Sequence, residues 1–589
     1  MKRSSLWINI LIILLGAAFF IPGIGDVRLF DWDEINFAES AREMLLTGNW
    51  FDVQINFEPF WEKPPLFIWA QAISMKVFGV NEFAARFPNA VIGIITLLAL
   101  FNIGRKKNGT RFGALWALMY GISFLPFFYF KSGIIDPWFN LGIFLAIYFF
   151  SEYTDEGEKP HRMRNAALSA LFIGLAIITK GPVAFLIFCL CAAVWLIIAR
   201  FRLDFRWKDV AVYFLVLALA GGSWFIALAA SGHADVIQDF VAYQIRLFQT
   251  KDAGHGGFLL YHFVWLFFGV TPASVFALPA LFGNRIPGRA GYDGDDTTGH
   301  DGNGKPSLPA TTGNLFRWMA ISFWVVLILF TIVRTKIVHY SSFCYFPLSF
   351  LAAWAVERMM DGRIKFGAFQ RTALIIIAAL WGLLLTALTL FDRFKDALAP
   401  YVKDPFAVSC MEAASDWKGF EPVVGIVLIA MTVAFCIGFG RNLKAKNFIY
   451  LAAGNLLFGM TVILCAVPEV EKYSQASAVD FYIERQGEDC YVKPAYFKSY
   501  AQYFYTDRQP QNKCDDFDWL RSAALDKPCY FVVKDIPEDV ERLRSDVPDA
   551  EFLYRRSGFR FFVRHPEPAE EQAQQAGEQE QTDVEQHRQ

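Results

Sequence analysis

Apolar residues in this 589-residue chain gather in long blocks separated by short polar joints, from the N-terminus to about residue 467. The first block runs from Leu6 to Ile24. Others cover about 83–103, 113–130, 134–151, 166–180, 182–199, 210–231, 257–283, 316–333, 339–356, 372–391, 421–439 and 448–467. Each approaches the roughly 20 residues a helix needs to cross hydrocarbon, so the pattern predicts about thirteen membrane helices. Lys2 and Arg3 precede the first block, which is longer than the roughly 7–15 residues of a cleaved signal's apolar core. It is expected to stay as a first helix with a cytoplasmic N-terminus.

The joints support this register. Alternate ones carry Arg105-Lys106-Lys107 with Arg111; Lys159, Arg162 and Arg164; Arg200, Arg202, Arg206 and Lys208; Arg285 and Arg289; Arg358, Arg363, Lys365 and Arg371; and Arg441, Lys444 and Lys446. Basic joints are expected on the cytoplasmic side. An odd number of spans then puts the C-terminal region in the periplasm. Residues 1–470 read as the membrane domain, with a first external loop over 26–82 and a Gly/Asp/Thr-rich cytoplasmic insert over 284–315 that reads as a flexible linker. The insert's DGDD and DGNG lack the Glu that closes a calcium loop. After Pro468 the pattern switches to alternating strand-like and helix-like stretches, which predicts a small α/β domain over 471–565. Residues 566–589 are Glu/Gln-rich and are expected to be disordered.

Composition agrees: 55% hydrophobic, 17% aromatic and 19% charged, with charge below the ~25% usual for soluble domains. No dense basic stretch interleaved with aromatics points to nucleic acid. The nine cysteines show no CxxC spacing, which argues against structural zinc. Cys490, Cys514 and Cys529 fall in the predicted exported domain, where a disulfide is chemically allowed and its pairing is open.

One joint departs from the rest. Leu29–Arg86 sets Asp31, Asp33, Glu34, Glu39, Arg42, Glu43, Glu58, Glu62 and Lys63 among Trp and Phe. The same predicted face receives Asp136, Lys180, Arg246, His255, His262, Lys336, His339 and Tyr340 from later helix ends. Carboxylates near a membrane surface can act as a general base or hold a divalent cation. Lys and Arg can clamp phosphate and stabilise a leaving group. Each residue also has a plainer reading: Asp33 and Glu34 as helix-start acids, Glu62–Lys63 as a surface ion pair, Asp136 as an N-cap before Pro137, Lys180 as a snorkelling lysine. The set reads as transfer of a group from a lipid phosphate, because an exported face has no ATP.

The run DWDEINFAESAREMLLTGNW followed by FWEKPPLFIW resembles the opening loop of the GT-C membrane glycosyltransferases, in the branch of the lipid A aminoarabinose transferases and the bacterial relatives of protein O-mannosyltransferases. GIIDPWFNL, TKGPVAFLI, DFVAYQIRLF and TKIVHYSSFCYFPL continue the likeness in order. The resemblance implies a GT-C fold, a polyprenyl-phosphate sugar donor, no nucleotide cofactor, and inverting transfer. It implies Asp33 as general base, with Glu34 and Asp136 beside it as catalytic carboxylates. Lys63, Arg246, Lys336, Tyr340 and Lys180 are implied as the donor-phosphate clamp. Glu62, Asp136 and His255 are the implied ligands of a divalent metal. Where the family commonly has Glu-His, this chain has Tyr243-Gln244, so the metal's usual His is missing from its place.

The sequence therefore predicts an all-α polytopic protein of the bacterial inner membrane with a small α/β periplasmic domain. Its expected activity moves a sugar from a polyprenyl phosphate to a lipid A-type glycolipid or another envelope acceptor. Transfer to exported proteins is the alternative. A lipid or glycan transporter is the rival of another class, and it would show an internal repeat and charges near mid-span.

Overall fold

The computed structural model describes residues 2–60, 62–155, 161–203, 205–232, 234–249, 256–282, 310–514 and 516–566. Helices dominate it. In chain order they begin with α1 (Lys2–Phe20), α2 (Asp33–Thr47), the hairpin β1 (Gln54–Ile55) and β2 (Glu58–Pro59), α3 (Leu66–Phe78), α4 (Glu82–Gly121), α5 (Phe124–Tyr129), α6 (Asp136–Tyr153) and α7 (Arg162–Lys180). Then come α8 (Val183–Ile198), α9 (Trp207–Ala230), α10 (Ala234–Gln249), α11 (Tyr261–Gly269), α12 (Ala273–Phe282), α13 (Ala310–Ile332) and α14 (Tyr345–Met360). The last of the bundle are α15 (Ala368–Leu398), α16 (Pro405–Met411), α17 (Glu421–Asn442) and α18 (Phe448–Thr461). Among the described residues seven helices are long and apolar enough to cross a membrane, and four shorter helices are apolar. The chain is a multi-pass membrane protein.

Several predicted blocks change shape. The blocks at 83–103 and 113–130 form the two halves of α4, which meet at the non-helical Asn108 and Gly109 inside the predicted basic joint, and the second block breaks after Gly121 before the short α5. Pro272 divides the block at 257–283 into α11 and α12, since proline cannot continue the helical hydrogen-bond ladder. The block at 339–356 opens as a 3₁₀ turn, Val338–Cys344, before α14 begins at Tyr345. Of the predicted insert, residues 284–309 lie outside the described residues, while 310–315 are already the first turns of α13. The predicted tail lies outside them from residue 567.

The C-terminal region holds α19 (Val467–Lys472), α20 (Ala476–Glu484), β3 (Tyr491–Ala495), α21 (Ala501–Tyr505), α22 (Phe517–Ser522), β4 (Cys529–Lys534), α23 (Pro537–Asp546), β5 (Glu551–Arg556) and β6 (Phe559–Arg564). Its sheet runs β3-β4-β6-β5, with β3 and β4 parallel and the other pairs antiparallel. Alternation sends Val532, Phe559 and Phe561 to one face and Phe531, Val533 and Phe562 to the other. Leu520, Val540 and Leu543, from α22 and α23, cover the second face. The first face packs into a core that also contains Leu29, Ile35, Phe37, Phe67 and Ile68 of the first loop. Loop and sheet thus share one hydrophobic core, and together they form the loop face of the bundle.

Candidate active site

Five stretches far apart in sequence bring ionisable groups together on the loop face. They are the start of α2, the Glu62–Lys63 turn, the start of α6, the end of α7 and the 3₁₀ turn before α14.

Asp33 is the first residue of α2, and no side chain caps that helix. Its carboxylate is therefore available for other work. The side chain is 36% exposed and its Oδ2 lies 3.6 Å from His339 Nε2. Burial holds the His339 imidazole below its ordinary value; the carboxylates of Asp136 and Asp33 oppose that shift, and the Lys180 and Lys63 charges reinforce it. The imidazole is neutral near pH 7 and can orient the Asp33 carboxylate without adding a full charge.

Asp136 opens α6 beside Pro137, yet it makes no capping bond. Its Oδ1 accepts a hydrogen bond from Lys180 Nζ at 2.7 Å and lies 3.4 Å from Ser342 Oγ. Asn140 Nδ2 donates to Ser342 Oγ at 2.8 Å, and Ser342 donates to the His339 carbonyl at 2.6 Å. Asp136 is 2% exposed, so the Lys180 ammonium is what makes its charge tolerable there. The same ammonium sits 5.5 Å from the Phe139 ring centroid and 5.7 Å from that of Tyr340. Lys180 ends α7, and Gly181 turns the chain with φ +121°. A Cβ at Gly181 would stand 2.8 Å from Phe240 Cζ, so glycine lets α10 close on this corner.

Lys63 Nζ is 3.9 Å from Glu62 Oε2, and both side chains are mostly buried. The turn follows the β1–β2 hairpin, whose tip residues Asn56 and Phe57 both have φ +57°. Two left-handed residues in a two-residue turn suit a hairpin's twist. The Glu43 carboxylate accepts both tip N–H groups, Phe57 N at 2.9 Å. Lys63 is thus held from the side of α2.

Two sequence expectations, Glu34 and Lys336, meet a different geometry. Glu34, expected beside Asp33 as a catalytic carboxylate, is buried in a two-point pair with Arg86, at 3.0 Å from Nε and 2.7 Å from Nη2. It also accepts N–H groups from Phe30 and Gly133. These partners leave it no free face, and it ties the loop to α4. Lys336, expected in the phosphate clamp, donates to the carbonyls of Phe330, Thr331 and Val333 at 2.9, 2.7 and 2.7 Å. All three N–H groups are spent closing the end of α13. Of the implied metal ligands, Asp136 is paired with Lys180, Glu62 lies beside Lys63, and His255 lies outside the described residues. Among the described residues no three His, Cys, Asp or Glu side chains gather as a metal site.

Arg246 is exposed on α10, the helix that Phe240 holds against Gly181. His262 is fully buried, its Nδ1 3.0 Å from Ser341 Oγ. His339, Ser342 and Asn140 are the members that sequence reasoning left without a role. The run HYSS beside the implied Tyr340 was the available signal.

Residues 62–226 match the family model described as dolichyl-phosphate-mannose-protein mannosyltransferase. That stretch includes Glu62, Lys63, Asp136 and Lys180. The solved structure of ArnT from Cupriavidus metallidurans bound to undecaprenyl phosphate superposes with a TM-score of 0.74 at 17% identity, covering 96% of this chain and all of that one. The chain shares the GT-C fold of that structure. An undecaprenyl phosphate-alpha-4-amino-4-deoxy-L-arabinose arabinosyl transferase of Edwardsiella ictaluri is 25% identical over 403 residues, 65% of this chain and 67% of that protein. One from Pseudomonas fluorescens is 30% identical over 261 residues, 43% of this chain and 46% of its own length. Over the first three such relatives the GT-C chain aligns with 46% to 67% of their length.

Proposed function

We propose that this GT-C protein transfers a sugar from an undecaprenyl-phosphate carrier to a lipid A-type glycolipid on the periplasmic side of the inner membrane. The observation that carries the reading is the convergence of Asp33, Lys63, Asp136, Lys180 and His339 on one face, from five stretches of the chain. The arabinosyl transferase activity of the relatives supports the donor class, and the six basic joints favour a cytoplasmic N-terminus with the loop face outside.

Asp33 takes the proton of the acceptor hydroxyl as its oxygen attacks the anomeric carbon. The bond from that carbon to the phosphate oxygen breaks, and polyprenyl phosphate leaves with inversion at the sugar. His339 steadies the base. Lys63 and Lys180 meet the negative charge that grows on the leaving phosphate, while Asp136 fixes Lys180. Arg246 on α10 and Tyr340 complete the donor side. This chemistry draws its positive charge from lysines and routes no step through a metal ion. An apolar groove of about 680 Å³ between α8, α12 and α13, reaching Ile332, offers room for an isoprenoid tail.

A second reading, transfer to exported proteins, is favoured by the mannosyltransferase family match alone. Binding of undecaprenyl phosphate to purified Lys63→Ala protein tests the donor side. A lost charge-assisted contact should weaken binding roughly ten- to hundredfold. Wild-type affinity in the variant would remove Lys63 from the clamp.

A further inference from the structure

The C-terminal domain borders the site at Trp32, with Tyr500 within electrostatic reach of Glu62. Lys498 is exposed, with its ammonium 4.5 Å from the Trp32 ring centroid and 5.2 Å from that of Tyr500. The two rings meet edge to face at 5.3 Å. The segment is fastened from beneath. Both oxygens of the Asp31 carboxylate lie 3.3 Å from Tyr500 N, and Asp31 N donates to Gln475 Oε1 at 3.2 Å. Tyr500 also packs on Tyr503, 6.0 Å between centroids.

Buried contacts fasten the domain to the loop: Leu29 N donates to Tyr505 Oη at 2.7 Å, and Arg42 Nη2 to the Arg508 carbonyl at 2.9 Å. Trp32 instead stays 36% exposed under a solvent-facing ammonium. It is also the residue directly before Asp33. The aromatic and cationic surface therefore adjoins the proposed base.

We propose that Trp32, Lys498 and Tyr500 form the acceptor subsite, a platform that stacks a sugar ring and pairs Lys498 with an anionic substituent on that sugar. The proposal rests on reading Asp33 as the base. Aromatic faces bind sugars through their apolar C–H surfaces, and an ammonium over a ring keeps N–H groups turned outward for an anion. The donor phosphate already has Lys63 and Lys180; Lys498 has Asp31 and Tyr500 as electrostatic neighbours and, being exposed, can take an anion of the other substrate as well. A phosphorylated glycolipid fits this chemistry. An uncharged peptide hydroxyl would make no use of Lys498.

The test uses the purified full-length protein in detergent, with bisphosphorylated lipid A, its dephosphorylated form and undecaprenyl phosphate as separate binding probes. Lys498→Ala should weaken bisphosphorylated lipid A about tenfold, and Lys498→Arg should retain it. Dephosphorylated lipid A and undecaprenyl phosphate should bind both variants as they bind wild type. Unchanged affinity of Lys498→Ala for bisphosphorylated lipid A, with undecaprenyl phosphate still bound, would overturn the platform and leave the donor reading standing. An equal loss for all three probes would also overturn it, by making Lys498 a docking residue. Failure of the wild-type protein to bind undecaprenyl phosphate would instead strike the proposed function itself.

Discussion

Lys180 and Lys336 both stand at the ends of membrane helices, and their ammonium groups do opposite things. Lys180 reaches across to a carboxylate on another helix and to two aromatic rings. Lys336 folds back onto three carbonyls of its own helix. Lys336→Ala should therefore lower thermal stability in detergent, by about 1–3 kcal/mol for the orphaned carbonyls, while the KM for the lipid donor holds. A raised donor KM with unchanged melting would restore Lys336 to the clamp. Sequence could not separate the two lysines, because each follows an apolar run and the partner that decides is a matter of rotamer. Asp33 and Asp136 stand out in the sequence for the converse reason. An ionisable residue at the end of a long apolar block has few cheap explanations. Glu34 was misread because its partner Arg86 lies 52 residues on.

Past Asp33, helix α2 shows how an element can carry charge without chemistry. Glu39, Arg42 and Glu43 are all buried. Arg42 holds Glu39 through two hydrogen bonds at 2.7 and 2.8 Å, while Glu43 holds the hairpin tip. Burial, with the Glu39 charge beside it, pushes Glu43 up from 4.5 to about 9. Folded protein then keeps a proton at neutral pH that the unfolded chain releases. The stabilisation from that proton is complete below about pH 4.5 and is lost as pH rises toward about 9. Melting temperature in detergent should fall between about pH 5 and about pH 9, and Glu43→Gln should flatten that slope. A slope equally steep in the variant would place the proton elsewhere. The apolar blocks forecast most helices of the bundle well, because length and hydropathy are local properties. They failed at α4–α5, where the 113–130 block breaks after Gly121, and at α11–α12, where a proline cuts through continuous apolar sequence.

Across the whole molecule, the first loop and the C-terminal sheet close on one core. The sequence suggested two separate pieces, a loop over 26–82 and a domain over 471–565. Their joining contacts span more than 440 residues: Arg28 with Glu471 and Asp480, Leu29 with Tyr505, Asp31 with Tyr500 and Arg42 with Asp507. No periodicity reports a pairing at that distance. The consequence is a site with a membrane wall, from α6, α7 and the 3₁₀ turn, and a domain wall over Trp32. Asp33 lies where they meet. A general base there contributes about 10²- to 10⁴-fold. The central claim is tested most directly by kcat of purified Asp33→Asn with a polyprenyl-phosphate sugar donor, alongside undecaprenyl phosphate binding. The account predicts a fall of at least about a hundredfold in kcat with binding retained; turnover at the wild-type rate would contradict it.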